Sequence, residues 1–593
     1  MIVYIHSCAH IEAQYKSVSS EEEKIMKRKN MAAILGIVAA AAFSVTACGT
    51  GSAAETASST ASAGQSTAEE SSADTTESTE NSTQQGPGDG EAPEKPDGEA
   101  PSGEAPDGQG GPGGDGQAPD GAPGGQGGPG GADTQSYDYQ GETSGTKEAD
   151  GEEVSSDSES ISSTEADVNA ALVKNAGTLT ITNGTLTKSG DDTNGDNCNF
   201  YGINSILLSL GEGSKAIVSD STLTADSEGS NAMFATDSGE ILANNDTIHT
   251  TAGNSRGLDA TYGGTILADS CDITTEGDHC ASIATDRGGG SISAVNSTLS
   301  TAGSGSPLLY STGDIQVDNV TGTASGSQIA GMEGLNTIRI YNSDLTSTIT
   351  KATASDPVAN GVIIYQSTSG DAETTTGETA TFEAVNSKLS SSIEEGSFFY
   401  VTNTAANILL SNTNLSFDAD KANLLTIEGN DSNNWGTAGS NGGTVTFTAR
   451  NETLEGDISV DTISSLDLYL LNGTTYTGAM EITENSVNTD QTDAPITVNI
   501  SSDSKWVVTA DTTISALNAE DGASIVDENG KTVTIVADGK TVVQGTSDIT
   551  VTVTGSYSTT VTTSDANEIS TDYIDRTDFD SYFGTKTTFG ENA

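Results

Sequence analysis

The side chains best suited to contact a sugar chain lie between residues 254 and 287, and they are Arg256, Asp259, His279, Asp286 and Arg287. Basic residues are scarce, since the chain has 22 Lys and Arg against 85 Asp and Glu. Guanidinium groups can hold carboxylates or hydroxyls, and carboxylates accept hydrogen bonds from hydroxyls. The cluster therefore predicts a contact site for a sugar or a uronate. The alternative is that these charges pair with one another at turns of the fold.

Three tyrosines recur at matching places further along the chain, namely Tyr310, Tyr365 and Tyr400. Alignment of the sequence repeats on their Ala-Thr pairs puts one column through Phe234, Asp259, Ile283 and Tyr310. Neighbouring strands of a sheet lie ~4.8 Å apart, close to the length of one sugar in an extended glycan. The tyrosines therefore predict stacking faces in step with a polysaccharide. The alternative is that they stack within the sheet or the core.

Alternate oxygen ligands at Asp192, Asn194 and Asp196 are similar to the start of a calcium loop. Asn197 stands where the tight turn needs glycine, and no closing glutamate follows at the usual place. These three residues are interpreted either as ligands of a structural Ca²⁺ or as part of a solvated polar turn. No other cofactor is expected, because four histidines and five cysteines leave little material for a zinc or iron-sulfur site.

The composition excludes several classes of function. The net charge is -63, so nucleic acid and anionic lipid headgroups are improbable partners, since each phosphate contact needs a Lys or Arg. Hydrophobic residues reach 33% and aromatic residues 5%, which argues against the large mixed core of an ordinary α/β enzyme.

A secretory leader is predicted for residues 1–47. Basic residues at 27–29 precede an apolar run of 15 residues from Met31 to Val45, which is short for a membrane span. The following Val-Thr-Ala-Cys-Gly resembles a bacterial lipobox, so Cys48 is the expected lipidation site. We expect translation to start at Met26, and the mature protein to be anchored at the extracellular face of the cytoplasmic membrane by this lipid alone.

Cys198, Cys271 and Cys280 are the cysteines that remain beyond Cys48. An odd number does not make a disulfide framework, so we expect small buried cysteines, with a disulfide at Cys271 or Cys280 left open.

Residues 48–165 are predicted to form a disordered linker. The segment is rich in Ser, Thr, Gly and Pro and contains three copies of Gly-Glu-Ala-Pro, with few large apolar residues to bury. A charged, Gly/Pro-rich chain is extended, so this linker can carry a domain beyond a thick wall.

The sequence of residues 166–555 predicts a solenoid of short strands. A polar pair followed two places later by Leu or Ile recurs, as in Asn296-Ser297-Thr298-Leu299 and Asn386-Ser387-Lys388-Leu389. The threonines of three Ala-Thr pairs and of the related Ser311-Thr312 are 25, 24 and 27 residues apart, at 236, 261, 285 and 312. A period of this length made of strands predicts an all-β parallel β-helix, in which each coil stacks on the next. A string of immunoglobulin-like sandwiches is the alternative.

With these repeats, the chain resembles the extracellular, lipid-anchored right-handed β-helix proteins of Gram-positive anaerobes, which are pectin-lyase-like in fold and carbohydrate-binding or adhesin-like. Residues 504–509, Ser-Lys-Trp-Val-Val-Thr, are also similar to the stem of β-helical autotransporter passengers. The resemblance implies a right-handed coil over residues 166–555, followed by a polar tail over residues 556–593.

Many right-handed β-helices cleave polysaccharides, so a lyase or a hydrolase is the alternative function. Gly190-Asp191-Asp192 is present, but no Gly-His-Gly or Arg-x-Lys follows, as a polygalacturonase-like site needs. We therefore expect a non-catalytic surface protein, acting as a monomer, whose partner is a polysaccharide or a host glycan.

Overall fold

The computed structural model describes residues 136–367, 372, 379–431, 435–490 and 495–590. The predicted leader, the lipidation site Cys48 and most of the predicted linker lie outside the described residues.

The described chain is an all-β parallel β-helix, as the repeats predict. From β1 to β30, the successive coils contribute strands to three long sheets. Each coil stacks on the next because it cannot bury its own apolar side chains alone. All strand pairings within the sheets are parallel except that of β42 with β43. The right-handed sense of the coil stays a prediction.

Sheet 1 has 13 strands. They are β1 (Gly145–Asp150), β4 (Asn169–Lys174), β7 (Leu207–Leu210), β10 (Met233–Thr236), β13 (Leu258–Ala260), β16 (Ile283–Thr285), β19 (Leu309–Ser311), β22 (Ala330–Glu333), β25 (Asn360–Tyr365), β28 (Ser397–Thr402), β31 (Asn423–Ile427), β34 (Ile458–Asp461) and β37 (Met480–Thr483).

Sheet 2 runs the whole length of the coil. In order of pairing, its strands are β2 (Glu153–Asp157), β5 (Thr178–Thr182), β8 (Lys215–Ser219), β11 (Glu240–Asn244), β14 (Thr265–Asp269), β17 (Ser291–Val295), β20 (Asp314–Asp318), β23 (Thr337–Tyr341), β26 (Ala380–Val385), β29 (Ala405–Ser411), β32 (Thr444–Arg450), β35 (Ser465–Leu471), β38 (Ile496–Ile500), β40 (Thr512–Ala519), β44 (Thr550–Ser558), β42 (Thr534–Ala537) and β43 (Lys540–Val543).

Sheet 3 has ten strands, and a separate sheet 4 of four strands takes its place in the later coils. Sheet 3 contains β3 (Ser160–Ser163), β6 (Thr185–Lys188), β9 (Thr222–Ala225), β12 (Thr247–Thr250), β15 (Asp272–Thr275), β18 (Thr298–Thr301), β21 (Thr321–Ala324), β24 (Asp344–Ser347), β27 (Lys388–Ser391) and β30 (Asn414–Ser416). Sheet 4 contains β33 (Thr453–Glu455), β36 (Thr475–Thr477), β39 (Lys505–Val507) and β41 (Ser524–Val526).

Short helices lie outside the coil. They are α1 (Gly195–Tyr201), the 3₁₀ helix η1 (Asp565–Asn567) and α2 (Thr577–Phe583). No helix in the described part is long and apolar enough to cross a membrane.

The core is one continuous stack of small and aliphatic side chains inside the coil. Ladders such as Leu223, Ile248, Ile273 and Leu299 in sheet 3 stack in register, and all of them are buried. Burial of each such side chain contributes about 1.5–3 kcal/mol, so a thin interior suffices when it is repeated in every coil.

The recurring polar pair forms the turn between sheets 2 and 3. Its first residue is left-handed, with φ +51° at Asn296 and +50° at Asn386, a conformation that asparagine tolerates. Its second residue is buried and accepts a backbone hydrogen bond from the preceding coil, as Ser297 Oγ does from Cys271 N at 3.1 Å. We call these second residues the turn ladder: Ser221, Asp246, Cys271, Ser297, Ser343, Ser387, Thr413, Glu452 and Thr474.

The predicted linker boundary at residue 165 is wrong, because β1, β2 and β3 already form the first coil. This coil is the end of the stack, and of its side chains Ala149 and Ile161 enter the core. Its sequence is therefore too polar to be recognised as part of the solenoid.

The predicted polar tail over residues 556–593 differs from the structure at its start and in its packing. β44 extends to Ser558, and residues 565–590, which we call the C-terminal strap, lie along the outer face of sheet 2. Phe579 of α2 is fully buried against Ile217, Leu242 and Leu267.

Arg576, also in the strap, donates to Ser293 O at 2.7 Å and to Ala268 O at 3.1 Å. The outward side chains of sheet 2 therefore match the strap in polarity. They are apolar under Phe579, and the sheet carries polar groups beside Arg576.

Candidate functional site

The predicted cluster around Arg256 forms, but as a buried ion-pair network on the outer side of sheet 1. Arg256 Nη1 lies 2.8 Å from Asp259 Oδ2, and Nη2 lies 2.9 Å from Asp286 Oδ2. Burial raises the pKa of Asp259, an effect that the guanidinium of Arg256 opposes. Arg256 is 6% exposed, Asp286 4% and Asp259 0%.

Helix α1 covers this network. Arg256 Nη1 also donates to Asn199 O at 3.4 Å, and Thr261 Oγ1 donates to Phe200 O at 2.9 Å. The Arg287 guanidinium carbon lies 3.6 Å from the centre of the Phe200 ring. The network therefore holds α1 on sheet 1, and the expectation that Arg256, Asp259, Asp286 and Arg287 present an open sugar contact is wrong.

His279 lies at the edge of this cluster and is half-buried. Burial lowers the pKa of His279, and the positive charge of Arg256 lowers it further. Its backbone is left-handed, with φ +58°, which places it at a turn between coils.

The predicted column of tyrosines does not form as one stacking surface. The Ala-Thr alignment slips by one residue, because Ala260 pairs with Thr285 rather than with Ala284. Ile283 consequently faces the core. Tyr310 shares its column with Tyr400, whereas Tyr365 lies two places further along its strand, beside Glu333.

The three tyrosines lie in different surroundings. Tyr310 Oη donates to Glu333 Oε2 at 3.0 Å. Tyr365 stacks on Trp435 with ring centres 4.4 Å apart, and Tyr400 is fully buried in the same cluster. Tyr400 therefore cannot contact a ligand, and Tyr310 and Tyr365 are half-buried.

The predicted calcium ligands lie at the start of α1. Asn194 is the N-cap residue, and its side chain accepts from Asp196 N at 3.0 Å and from Asn197 N at 3.2 Å. Asp192 is partly buried, which raises the pKa of its carboxyl. Within the described residues, no group of three or more His, Cys, Asp or Glu side chains is arranged to hold a metal ion. The alternating polar residues Asp192, Asn194 and Asp196 are therefore explained by the cap of helix α1.

The three remaining cysteines, Cys198, Cys271 and Cys280, are free and buried. This confirms the expectation drawn from their odd number.

Within the described residues, segments of the chain cover parts of the other two long faces, whereas no such segment covers the outer side of sheet 3, which carries an array of small polar side chains. The strap covers much of sheet 2, and α1 and the side chain of Trp435 cover parts of sheet 1. We call the outward residues of sheet 3 the hydroxyl face. Its first column is Ser160, Thr185, Thr222, Thr247, Asp272, Thr298, Thr321, Asp344, Lys388 and Asn414, and its second is Ser162, Thr187, Thr224, His249, Thr274, Ser300, Thr323, Thr346, Ser390 and Ser416.

This face is regular and rich in hydroxyl groups. Six residues of the first column and nine of the second are Ser or Thr, the first column is exposed, and the second is half-buried or exposed. Successive rows are ~4.8 Å apart. Threonine is stiff at χ1, so its hydroxyl and methyl groups are fixed by the strand before a ligand arrives.

The hydroxyl face is also nearly neutral in a chain whose net charge is -63. Asp344 pairs with Lys388 at 3.2 Å, and His249 lies 2.9 Å from Glu276. Asp272 is the charged residue of the two columns that forms no ion pair with another described residue. A neutral ligand rich in hydroxyl groups can therefore approach this face with few isolated charges to desolvate.

Sequence reasoning missed this face, although its signal was present. The repeated phrase ends in Leu or Ile, and the residues on either side of that apolar position point outward, as Thr222 and Thr224 do around Leu223. Tracking the two flanking positions from coil to coil finds the hydroxyl columns.

No protein-family model matches this chain, and no curated protein matches it. The function proposed below therefore rests on the fold and on the hydroxyl face.

Proposed function

We propose that this protein is a secreted, lipid-anchored surface protein whose β-helix binds an extended neutral polysaccharide along the hydroxyl face, without cleaving it. The observation that carries the proposal is the open, in-register array of Ser and Thr on ten consecutive strands. Each hydroxyl can both donate and accept a hydrogen bond, as sugar hydroxyls do. If each sugar contacts one strand of sheet 3, the weak hydrogen bonds to successive strands add along the polysaccharide.

The anchor and the location rest on the sequence. The leader, the lipobox-like cysteine at Cys48 and the Gly/Pro-rich linker together support a domain held outside the cell and away from its membrane. The protein acts as a monomer in this proposal.

A lyase or hydrolase function is less well supported. The basic side chains that could assist it, Arg256 and Arg287, are 6% and 5% exposed and hold α1 in place. A base for proton abstraction must reach its substrate.

The test is co-sedimentation of the full chain with insoluble neutral polysaccharides and retention on immobilised polyuronates, with product release assayed in the same samples. We expect retention on at least one neutral polymer, no retention on polyuronates, and no new reducing or unsaturated ends. Preferential retention on polyuronates, or release of cleaved ends, would contradict the proposal.

A further inference from the structure

A cavity of about 400 Å³ opens where the hydroxyl face ends. Sheet 3 ends at β30, and the third strand of the next coil, β33, belongs to sheet 4. The cavity lies between these strands, and its lining includes Asn414, Phe417, Asn451, Glu452 and Glu455.

Glu452 is the unusual residue of this cavity. It occupies a turn-ladder position that most of the described coils fill with Ser or Thr, and its Oε1 accepts from Thr413 N at 2.6 Å. A hydroxyl group would complete that ladder bond. The carboxyl brings a second oxygen, Oε2, which forms no hydrogen bond with the described residues and is not fully buried, although the residue as a whole is only 4% exposed.

Burial raises the pKa of Glu452 to about 8. At neutral pH the group is therefore mostly protonated and can donate a hydrogen bond as well as accept one. Because Glu452 lines the cavity and Oε2 is not fully buried, a sugar hydroxyl that enters the cavity can form a hydrogen bond with this oxygen.

Phe417 supplies an apolar surface in the same cavity. Its ring is half-buried and lies 5.2 Å from the Phe398 ring, measured between ring centres. The hydroxyl face itself carries no tyrosine, tryptophan or phenylalanine on its described strands. An aromatic face beside a few polar groups suits the C–H face of a sugar ring.

We propose that this cavity binds a single pyranose ring, namely the terminal sugar of the polysaccharide that lies on the hydroxyl face. Phe417 packs against the ring, and Glu452 Oε2 bonds one of its hydroxyls. This inference rests on the proposed function for the identity of the ligand, but the cavity can be tested separately with single sugars.

The experiment measures binding of methyl glycosides of glucose, galactose, xylose, mannose and N-acetylglucosamine to the full chain by saturation-transfer NMR and titration. We expect at least one glycoside to bind with a Kd near 1 mM. Phe417→Leu and Glu452→Ser should each weaken it at least tenfold, whereas Glu452→Gln, which keeps both polar atoms, should stay within threefold. Thr513→Val, at an exposed position of sheet 2 that is not part of the cavity lining, is the matched control and should leave single-sugar binding unchanged.

The melting temperatures of all variants exclude unfolding as the cause, and Glu452→Gln keeps the test valid if Glu452→Ser does not fold. Polymer binding with no glycoside bound, and no effect of Phe417→Leu, would overturn this inference and leave the proposed function standing. Glycoside binding without polymer binding would support the cavity and contradict the hydroxyl face.

Discussion

Asp246 is a carboxyl group at a turn-ladder position that most of the described coils fill with a hydroxyl. Its two oxygens accept from Ser221 N at 2.8 Å and from Asn244 N at 3.1 Å, and burial raises its pKa to about 7. An unfolded aspartate has a pKa of about 3.9, so the folded chain binds more protons between about pH 4 and pH 7. Raising the pH through that window therefore lowers the stability that this residue contributes.

Asp246→Ser installs the usual ladder residue and should remove this pH dependence. We expect the melting temperature of the wild-type protein to fall more between pH 5 and pH 8 than that of the variant. The exposed Asp272→Ser is the control and should behave like wild type. Equal shifts in wild type and Asp246→Ser would show that Asp246 is not protonated in the fold.

Arg256 illustrates how a conspicuous charge can be structural. Arg256→Met leaves Asp259 and Asp286 buried without the guanidinium, so we expect a loss of about 3–5 kcal/mol of stability. Lys388→Met, in an exposed pair with Asp344, should cost less than about 1 kcal/mol. Thermal unfolding checks both values, and a stable Arg256→Met protein that loses only glycan affinity would restore the sugar-contact interpretation.

At the scale of elements, α2 packs on the outer face of sheet 2 and stabilises it. Phe579→Ala removes a fully buried ring from Ile217, Leu242 and Leu267, and such substitutions cost about 3–5 kcal/mol. Tyr582→Ala on the same helix is the control, since that side chain is 52% exposed. Thermal unfolding should separate the two variants clearly; similar melting temperatures would mean that the strap adds little stability.

The elements that the sequence predicts are those stabilised by repetition. The polar pair and the following Leu or Ile are read correctly because each coil repeats the same turn and the same core position, as at Asn296, Ser297 and Leu299. Elements that depend on distant contacts are missed. Phe579 lies in an Asp-rich stretch, and only the apolar outer residues of sheet 2 explain its burial.

Contacts from distant segments also limited how much of the candidate site could be predicted. Spacing alone brought Arg256, Asp259 and Asp286 together correctly, but it gave no sign that α1 covers them. The one-residue slip at Ala260 and Thr285 moved Ile283 to the wrong face, because alternation is sensitive to register.

At the scale of the whole molecule, a rigid stack offers one long surface to a long ligand. The net charge of -63 repels anionic polymers, whereas the hydroxyl face is close to neutral. Retention on a neutral polysaccharide should therefore change less than twofold between low and physiological salt. A steep loss of retention with salt would indicate that charged groups carry the binding.

The most direct test of the hydroxyl face removes hydroxyl groups without changing side-chain shape. In the triple variant Thr222→Val, Thr298→Val and Thr321→Val, three exposed hydroxyls that bond no described residue are replaced by methyl groups. Each lost hydrogen bond is worth about 1 kcal/mol, so affinity for the retained neutral polysaccharide should fall roughly 100-fold. Thr513→Val, exposed on sheet 2, should bind like wild type; an unchanged affinity of the folded triple variant would contradict binding on this face.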